Sequence, residues 1–153
     1  FELRDKLDRT LAPAELLRRV PLFADLDSCQ LQLIAARMRR EAYAPGDEII
    51  RQGEIGDTFY VIESGCAQTV VTYQGGERVM AQRGPGEYVG EIALLLQVPR
   101  TATVRALTPM QVLALQRTDF DRLVAAHLYL GRGLEQEATR RLYGLRQAAQ
   151  RAG

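Results

Sequence analysis

Gly90, Glu91 and Arg100 lie within the stretch GEYVGEIALLLQVPRTATV, residues 86–104, and their types and spacing suit the capture of an anion that also carries a hydroxyl. Gly90 has no Cβ, so its backbone can come close to a ligand. Glu91 to Leu95 can form about one helical turn, whose first N–H groups lack partners inside the helix and attract phosphate. Pro99 biases Val98 away from helix. That places Arg100 at the start of a strand, Thr101 to Arg105, where its guanidinium can fork onto phosphate oxygens. A carboxylate beside a bare phosphate would be repelled. Glu91 makes sense if the ligand also offers a hydroxyl that needs an acceptor, and a sugar phosphate meets both requirements.

The series Gly90, Glu91, Ile92, Ala93, Leu94, followed by Pro99, Arg100, Thr101 and Ala102, resembles the phosphate-binding cassette of the cyclic nucleotide-binding domain family. The upstream segment PGDEIIRQGEIGDTFYVIESG, Pro45 to Gly65, resembles a second hallmark of that family, and the likeness continues to about Leu123. The resemblance implies a β-roll fold and a ligand, cyclic AMP and/or cyclic GMP, with no cofactor. It also implies roles. Arg100 would pair with the cyclic phosphate, Glu91 would accept from the ribose 2′-hydroxyl, backbone N–H groups at Ala93 and Thr101 would help hold the phosphate, and Gly90 would line the ribose. In relatives a hydroxyl at the place of Thr101 can contact the amino group of a syn guanine, although a β-branched residue is also ordinary strand filler. Val89 and Thr69 match positions that form the apolar wall for the base, and each reads equally well as core.

These residues need a frame. From Arg39 to Gln116 short apolar runs alternate with glycine turns, and nine of the thirteen glycines fall between Gly46 and Gly90. That is the texture of a sandwich or barrel. Seven strands are expected, Arg39 to Tyr43, Glu48 to Arg51, Thr58 to Glu63, Ala67 to Tyr73, Arg78 to Arg83, Thr101 to Ala106 and Met110 to Gln116. A short eighth is expected near Tyr88, with Gly75-Gly76 as a hairpin turn. The expected class is α+β, mainly β: an eight-stranded jelly-roll flanked by N-terminal helices and two C-terminal helices.

One domain is expected over 1–153, with a helical segment 1–38, the roll 39–117 and C-terminal helices 118–150. Leu3, Leu7, Leu11, Leu16, Leu17 and Val20 have helical spacing broken by Pro13, which suits the first turn of a second helix capped near Thr10 or Ala12. Asp27 or Ser28 caps the next helix, to about Arg37, with Leu31, Leu33, Ile34 and Met38 expected inward. The charges Arg37, Arg39, Arg40 and Glu41 read as a solvated strand start. Thr118-Asp119 caps a helix with Phe120, Leu123 and Val124 inward, ending near His127. In the last helix Leu134, Ala138, Arg141, Leu142 and Leu145 form one stripe. An arginine set in such a stripe either snorkels outward or stacks over a purine as a cation on a π face. Tyr143 lies off the stripe, at the surface, and Gly131 and Gly133 offer loose backbone ahead of the helix.

Composition excludes several functions. With 153 residues, 46% apolar and 25% charged, the chain can bury a proper core. A formal net charge of +1 gives no bulk attraction to nucleic acid or anionic membrane. A single histidine, His127, nearly rules out histidine-based triads and the multi-histidine metal site of a cupin-type enzyme, so the expectation is a non-enzyme. Cys29 and Cys66 are too few for a disulfide framework, read as small buried hydrophobes, and suit a reducing cytoplasm. No apolar run approaches the roughly 18 residues of a membrane span. The expected role is a regulatory binding module whose last helix closes over the nucleotide, cytoplasmic or on the cytosolic side of a membrane protein, attached to an effector outside this segment. The start at Phe1 suggests an excised piece. Two alternatives stand: the sensor part of a catabolite-activator-type transcription factor, whose helix-turn-helix has no room here, or a degenerate interaction domain.

Overall fold

The β-rich middle of the chain forms eight antiparallel strands in two four-stranded sheets. The computed structural model describes residues 13–126 and 128–152. The strands are β1 (Arg39–Tyr43), β2 (Glu48–Ile50), β3 (Thr58–Ser64), β4 (Ala67–Tyr73), β5 (Gly76–Arg83), β6 (Tyr88–Val89), β7 (Thr103–Ala106) and β8 (Met110–Gln116). One sheet has the order β1-β8-β3-β6 and the other β2-β7-β4-β5. Residues 13–19 form helix α1, a short 3-10 turn (Pro21–Phe23) follows, and the other described helices are α2 (Ser28–Arg37), α3 (Glu91–Leu95), α4 (Arg117–Ala126) and α5 (Leu128–Ala152). This is the expected α+β, mainly β roll.

Alternation along the strands builds two cores. On β3, Tyr60 and Ile62 join Ile49, Ile50, Val89, Val104, Val112 and Ala114 inside the roll. Phe59 and Val61 point the other way, onto Leu17, Phe23, Leu31, Phe120, Leu123 and Leu134 of the helical layer. Successive side chains of a strand face opposite sides, so a strand covered on both faces reads as an unbroken apolar run, and β3 and β8 do.

Helix starts follow local chemistry. Asp27 caps α2 by accepting from the Gln30 backbone at 2.8 Å, and the Gln30 side chain accepts from the Asp27 N–H at 2.9 Å. This capping box satisfies two donors at once. Pro13 opens the described part of α1, where its missing N–H costs nothing. In the β4–β5 hairpin Tyr73 pairs with Gly76, and the turn between them uses Gly75 at φ +130°, a region glycine enters without a Cβ penalty.

Several expectations need correction. Leu33 is 66% exposed: Leu31 and Ile34 hold the buried face of α2, and a residue two steps on from Leu31 lies about 200° around the helix. Cys29 is exposed and Cys66 half-buried, so neither acts as a buried hydrophobe; Cys29 sits in the solvated first turn of α2. α4 starts at Arg117, which puts Thr118 and Asp119 inside its first turn. α5 starts at Leu128, so Gly131 and Gly133 belong to the helix and do not precede it. β7 starts only at Thr103, leaving Arg100 in the connection from α3. Leu3, Leu7, Thr10, Leu11, Ala12 and His127, with the side chain of Val124, lie outside the described residues.

Candidate functional site

The site is assembled around Arg100. Its backbone is clamped by the loop after β2, with Gly53 N–H donating to Arg100 O at 2.7 Å and Arg100 N–H to Glu54 O at 2.8 Å. Its guanidinium donates from Nη1 to Gly90 O at 2.9 Å and from Nη2 to Thr58 O at 2.7 Å. Two glycines make room. A Cβ on Gly56 would overlap the Nε and Cζ atoms of Arg100, and one on Gly90 would meet Thr58 O at 2.8 Å and Arg100 Nη1 at 3.1 Å. Gly90 also has φ +98°, a backbone state that side chains disfavour. Arg117 holds the Gly56 carbonyl at 3.1 Å, so the loop is fixed from behind.

Arg100 is buried, and among the described residues no carboxylate lies within ion-pair distance of it. Burial lowers its pKa from the ordinary arginine value, opposed by Tyr60, Asp57 and Glu91. A desolvated cation bonded only to neutral carbonyls is an electrostatic demand for an anion.

Glu91, the first residue of α3, is only 1% exposed. Burial pushes its carboxyl above the ordinary range, while Arg141 pulls it back. Arg141 Nη1 donates to Glu91 Oε1 at 2.7 Å and to Tyr88 O at 3.1 Å, and its Nε donates to Glu137 Oε1 at 3.0 Å. The guanidinium carbon also sits 4.6 Å from the centroid of the Tyr88 ring. The side chain of Arg141 is 15% exposed, so it does not snorkel outward. It is the cation that ties α5 to α3. Tyr143 points to solvent, as expected from its place off the stripe.

Thr69, Val89, Gly90, Glu91, Ile92, Ala93, Arg100, Thr101, Ala102 and Arg141 all line one cavity of about 220 Å³. Its walls are predominantly apolar side chains, with the charged groups gathered around Glu91 and Arg100. Seven further residues line it that sequence reasoning did not single out: Ile50, Met80, Ala81, Arg83, Val104, Gly144 and Leu145. Strand register was the missing signal for two of them, since Thr69 lies opposite both Ala81 and Val104. Helical spacing was the signal for two others, because Gly144 and Leu145 stand three and four residues after Arg141. Leu145 packs with Val71, Ala102, Met80 and Ile92 and so closes one side of the cavity.

Residues 40–127 match the family model of the cyclic nucleotide-binding domain. The chain belongs to that family. Within it, the regulatory subunit of cAMP-dependent protein kinase from Yarrowia lipolytica is 41% identical over 108 residues, covering 71% of this chain and 28% of that protein. The regulatory domain of Toxoplasma gondii PKA, solved with cAMP, superposes with a TM-score of 0.80 at 29% identity, over 88% of this chain and 51% of that one. The catabolite activator protein of Thermus thermophilus gives a TM-score of 0.72 at 34% identity, over 80% and 58%. This chain spans about a quarter of the length of the curated kinase regulatory subunits it matches. Among the described residues, no helix is long and apolar enough to cross a membrane. The cavity that the site residues line is bounded by α3, the β2-β7-β4-β5 sheet and α5.

Proposed function

We propose that this chain binds a purine 3′,5′-cyclic nucleotide, cyclic AMP or cyclic GMP, in the cavity and reports its occupancy through α5. The observation that carries the reading is Arg100, a buried guanidinium bonded to the carbonyls of Thr58 and of Gly90, the N-cap of α3, with no carboxylate within ion-pair distance among the described residues. The cyclic phosphate supplies the missing anion. Glu91 accepts from the ribose 2′-hydroxyl, the backbone at Ala93 and Thr101 adds donors, and Gly90 lets the sugar lie close. The base rests on the apolar wall of Val89, Thr69, Ile92 and Ala102, under Gly144 and Leu145.

Arg141 connects this site to the lid. It already grips Glu91, so ligand on Glu91 and docking of α5 act on the same carboxylate, and each must change the other's free energy equally. No bond is made or broken in this scheme; the module is not an enzyme, it works in the cytoplasm, and its effector lies outside this segment. The kinase regulatory subunits and the PKA domain solved with cAMP support the regulatory, cyclic-nucleotide-binding part of that reading. Likeness to the catabolite activator of Thermus thermophilus favours, second, the sensor part of a transcription factor.

Calorimetric titration with cyclic AMP, cyclic GMP and adenosine tests the proposal. The two cyclic nucleotides should bind saturably, and adenosine, without phosphate, at least about a hundredfold more weakly, since hydrogen bonds to charged groups contribute about 1.5–3 kcal/mol each. Equal affinity for adenosine and cyclic AMP would remove Arg100 from the account, and no binding by either cyclic nucleotide would end it.

A further inference from the structure

Three arginines line the cavity, and they are held very differently. Arg100 donates to two carbonyls, and Arg141 is engaged with Glu91, Glu137 and Tyr88 O. Arg83, the last residue of β5, has one contact among the described residues, Nη1 to Glu87 Oε2 at 3.4 Å. The two side chains of that pair are 25% and 46% exposed. At that distance the bond is weak, and an i,i+4 pair open to water holds little. Among the described residues, most of the N–H groups of this guanidinium therefore have no protein acceptor.

Its place in the fold decides what it faces. Ala81 and Arg83 line the cavity, while Gln82 between them points to solvent. Ala81 pairs with Thr69 and Arg83 with Ala67, so Arg83 lies one step further along the same wall. The chain then turns back, with Glu87 N–H donating to Gly84 O at 3.1 Å, and β6 leads directly to Gly90 and Glu91. Arg83 thus sits at the Glu91 end of the cavity. Burial dominates at Glu91, and Arg83 is among the charges that draw its carboxyl back down.

We propose that Arg83 is a specificity-determining residue that donates to the 2′-oxygen of the ligand's ribose while Glu91 accepts the proton of the same hydroxyl. The inference rests on the cyclic-nucleotide reading of the site. Its chemistry is selective because a hydroxyl both donates and accepts, an ionised glutamate only accepts, and an arginine only donates. A hydrogen or a methoxy group in place of the hydroxyl cannot satisfy both.

The test is the ratio of affinities for cyclic AMP and 2′-deoxy cyclic AMP, measured for the parent chain, Arg83→Leu and Glu91→Gln. Removing a positive charge weakens both nucleotides through the general field, so the ratio isolates the 2′ contact. Arg83→Leu should lower the ratio by about three- to tenfold, as for one net hydrogen bond. Arg83→Lys, which keeps the charge and loses the fork, should fall between. An unchanged ratio in Arg83→Leu, with a reduced ratio in Glu91→Gln, overturns the role of Arg83 alone. A parent that does not distinguish the two nucleotides overturns the reading of Glu91 and this proposal with it.

Discussion

At the scale of single residues, the Arg100 end of the cavity depends on atoms that are absent as much as on those present. Gly56 leaves the space that the Arg100 guanidinium fills. Gly56→Ala should therefore displace Arg100, cost about 1–3 kcal/mol of stability as overpacking does, and weaken cyclic AMP at least about tenfold; denaturant unfolding and titration of the variant check both. Normal binding by a folded variant would show that Arg100 has freedom the structure denies. Thr101 makes a finer prediction. Thr101→Ala should weaken cyclic GMP by roughly three- to tenfold, the worth of one hydrogen bond, and leave cyclic AMP nearly unchanged. Equal losses in a competition assay would assign Thr101 to the backbone and not to the base. Gly90, Glu91 and Arg100 were legible in the sequence because a short helix and one proline fix their relation locally. Gly56 was not, because its meaning comes from a side chain that reaches it only after the sheets have formed.

At the scale of elements, α5 is a packed helix with the proposed role of a lid. Leu134 and Ala138 are fully buried, and Leu145 and Ala148 nearly so. An apolar stripe at spacings of three and four foretold that face, but the start of the helix was not legible: Gly131 and Gly133 read as a break, and tertiary packing carries the helix through them. Leu134→Ala should cost about 2–5 kcal/mol of stability, measured by chemical denaturation, as for other buried leucines. The arginine in the stripe was read as pointing to water or to a purine. Its actual partner, Glu91, is set by the approach of α3 to α5, which no local pattern encodes. Hydrogen exchange across Leu134 to Leu145 should slow when cyclic AMP is added, and Arg141→Ala should reduce that gain. Identical protection with and without nucleotide would mean that α5 is scaffold and not lid.

At the scale of the whole molecule, the fold divides labour between its sheets. The β1-β8-β3-β6 sheet is covered by helices and serves as a foundation. The β2-β7-β4-β5 sheet gives one face to the cavity, and α3 and α5 supply the groups that close it. Glycine turns and apolar runs revealed the strands β1, β4 and β8 to the residue, since turn chemistry and alternation are local. Which strands are neighbours was not written locally, and register decided that Ala81 and Val104 flank Thr69. A ligand held between the sheet and both helices must stabilise the whole fold, by about 2.7 kcal/mol at a concentration a hundred times its Kd. The proposed role of Arg100 is narrower: its buried guanidinium, with no carboxylate within ion-pair distance among the described residues, would hold the cyclic phosphate. Calorimetric titration of the parent chain and of Arg100→Ala with cyclic AMP tests it. Arg100→Ala should lose about 2–5 kcal/mol of binding, as when one partner of a buried charge pair is removed, in a chain that remains folded. An affinity within about threefold of the parent would contradict it.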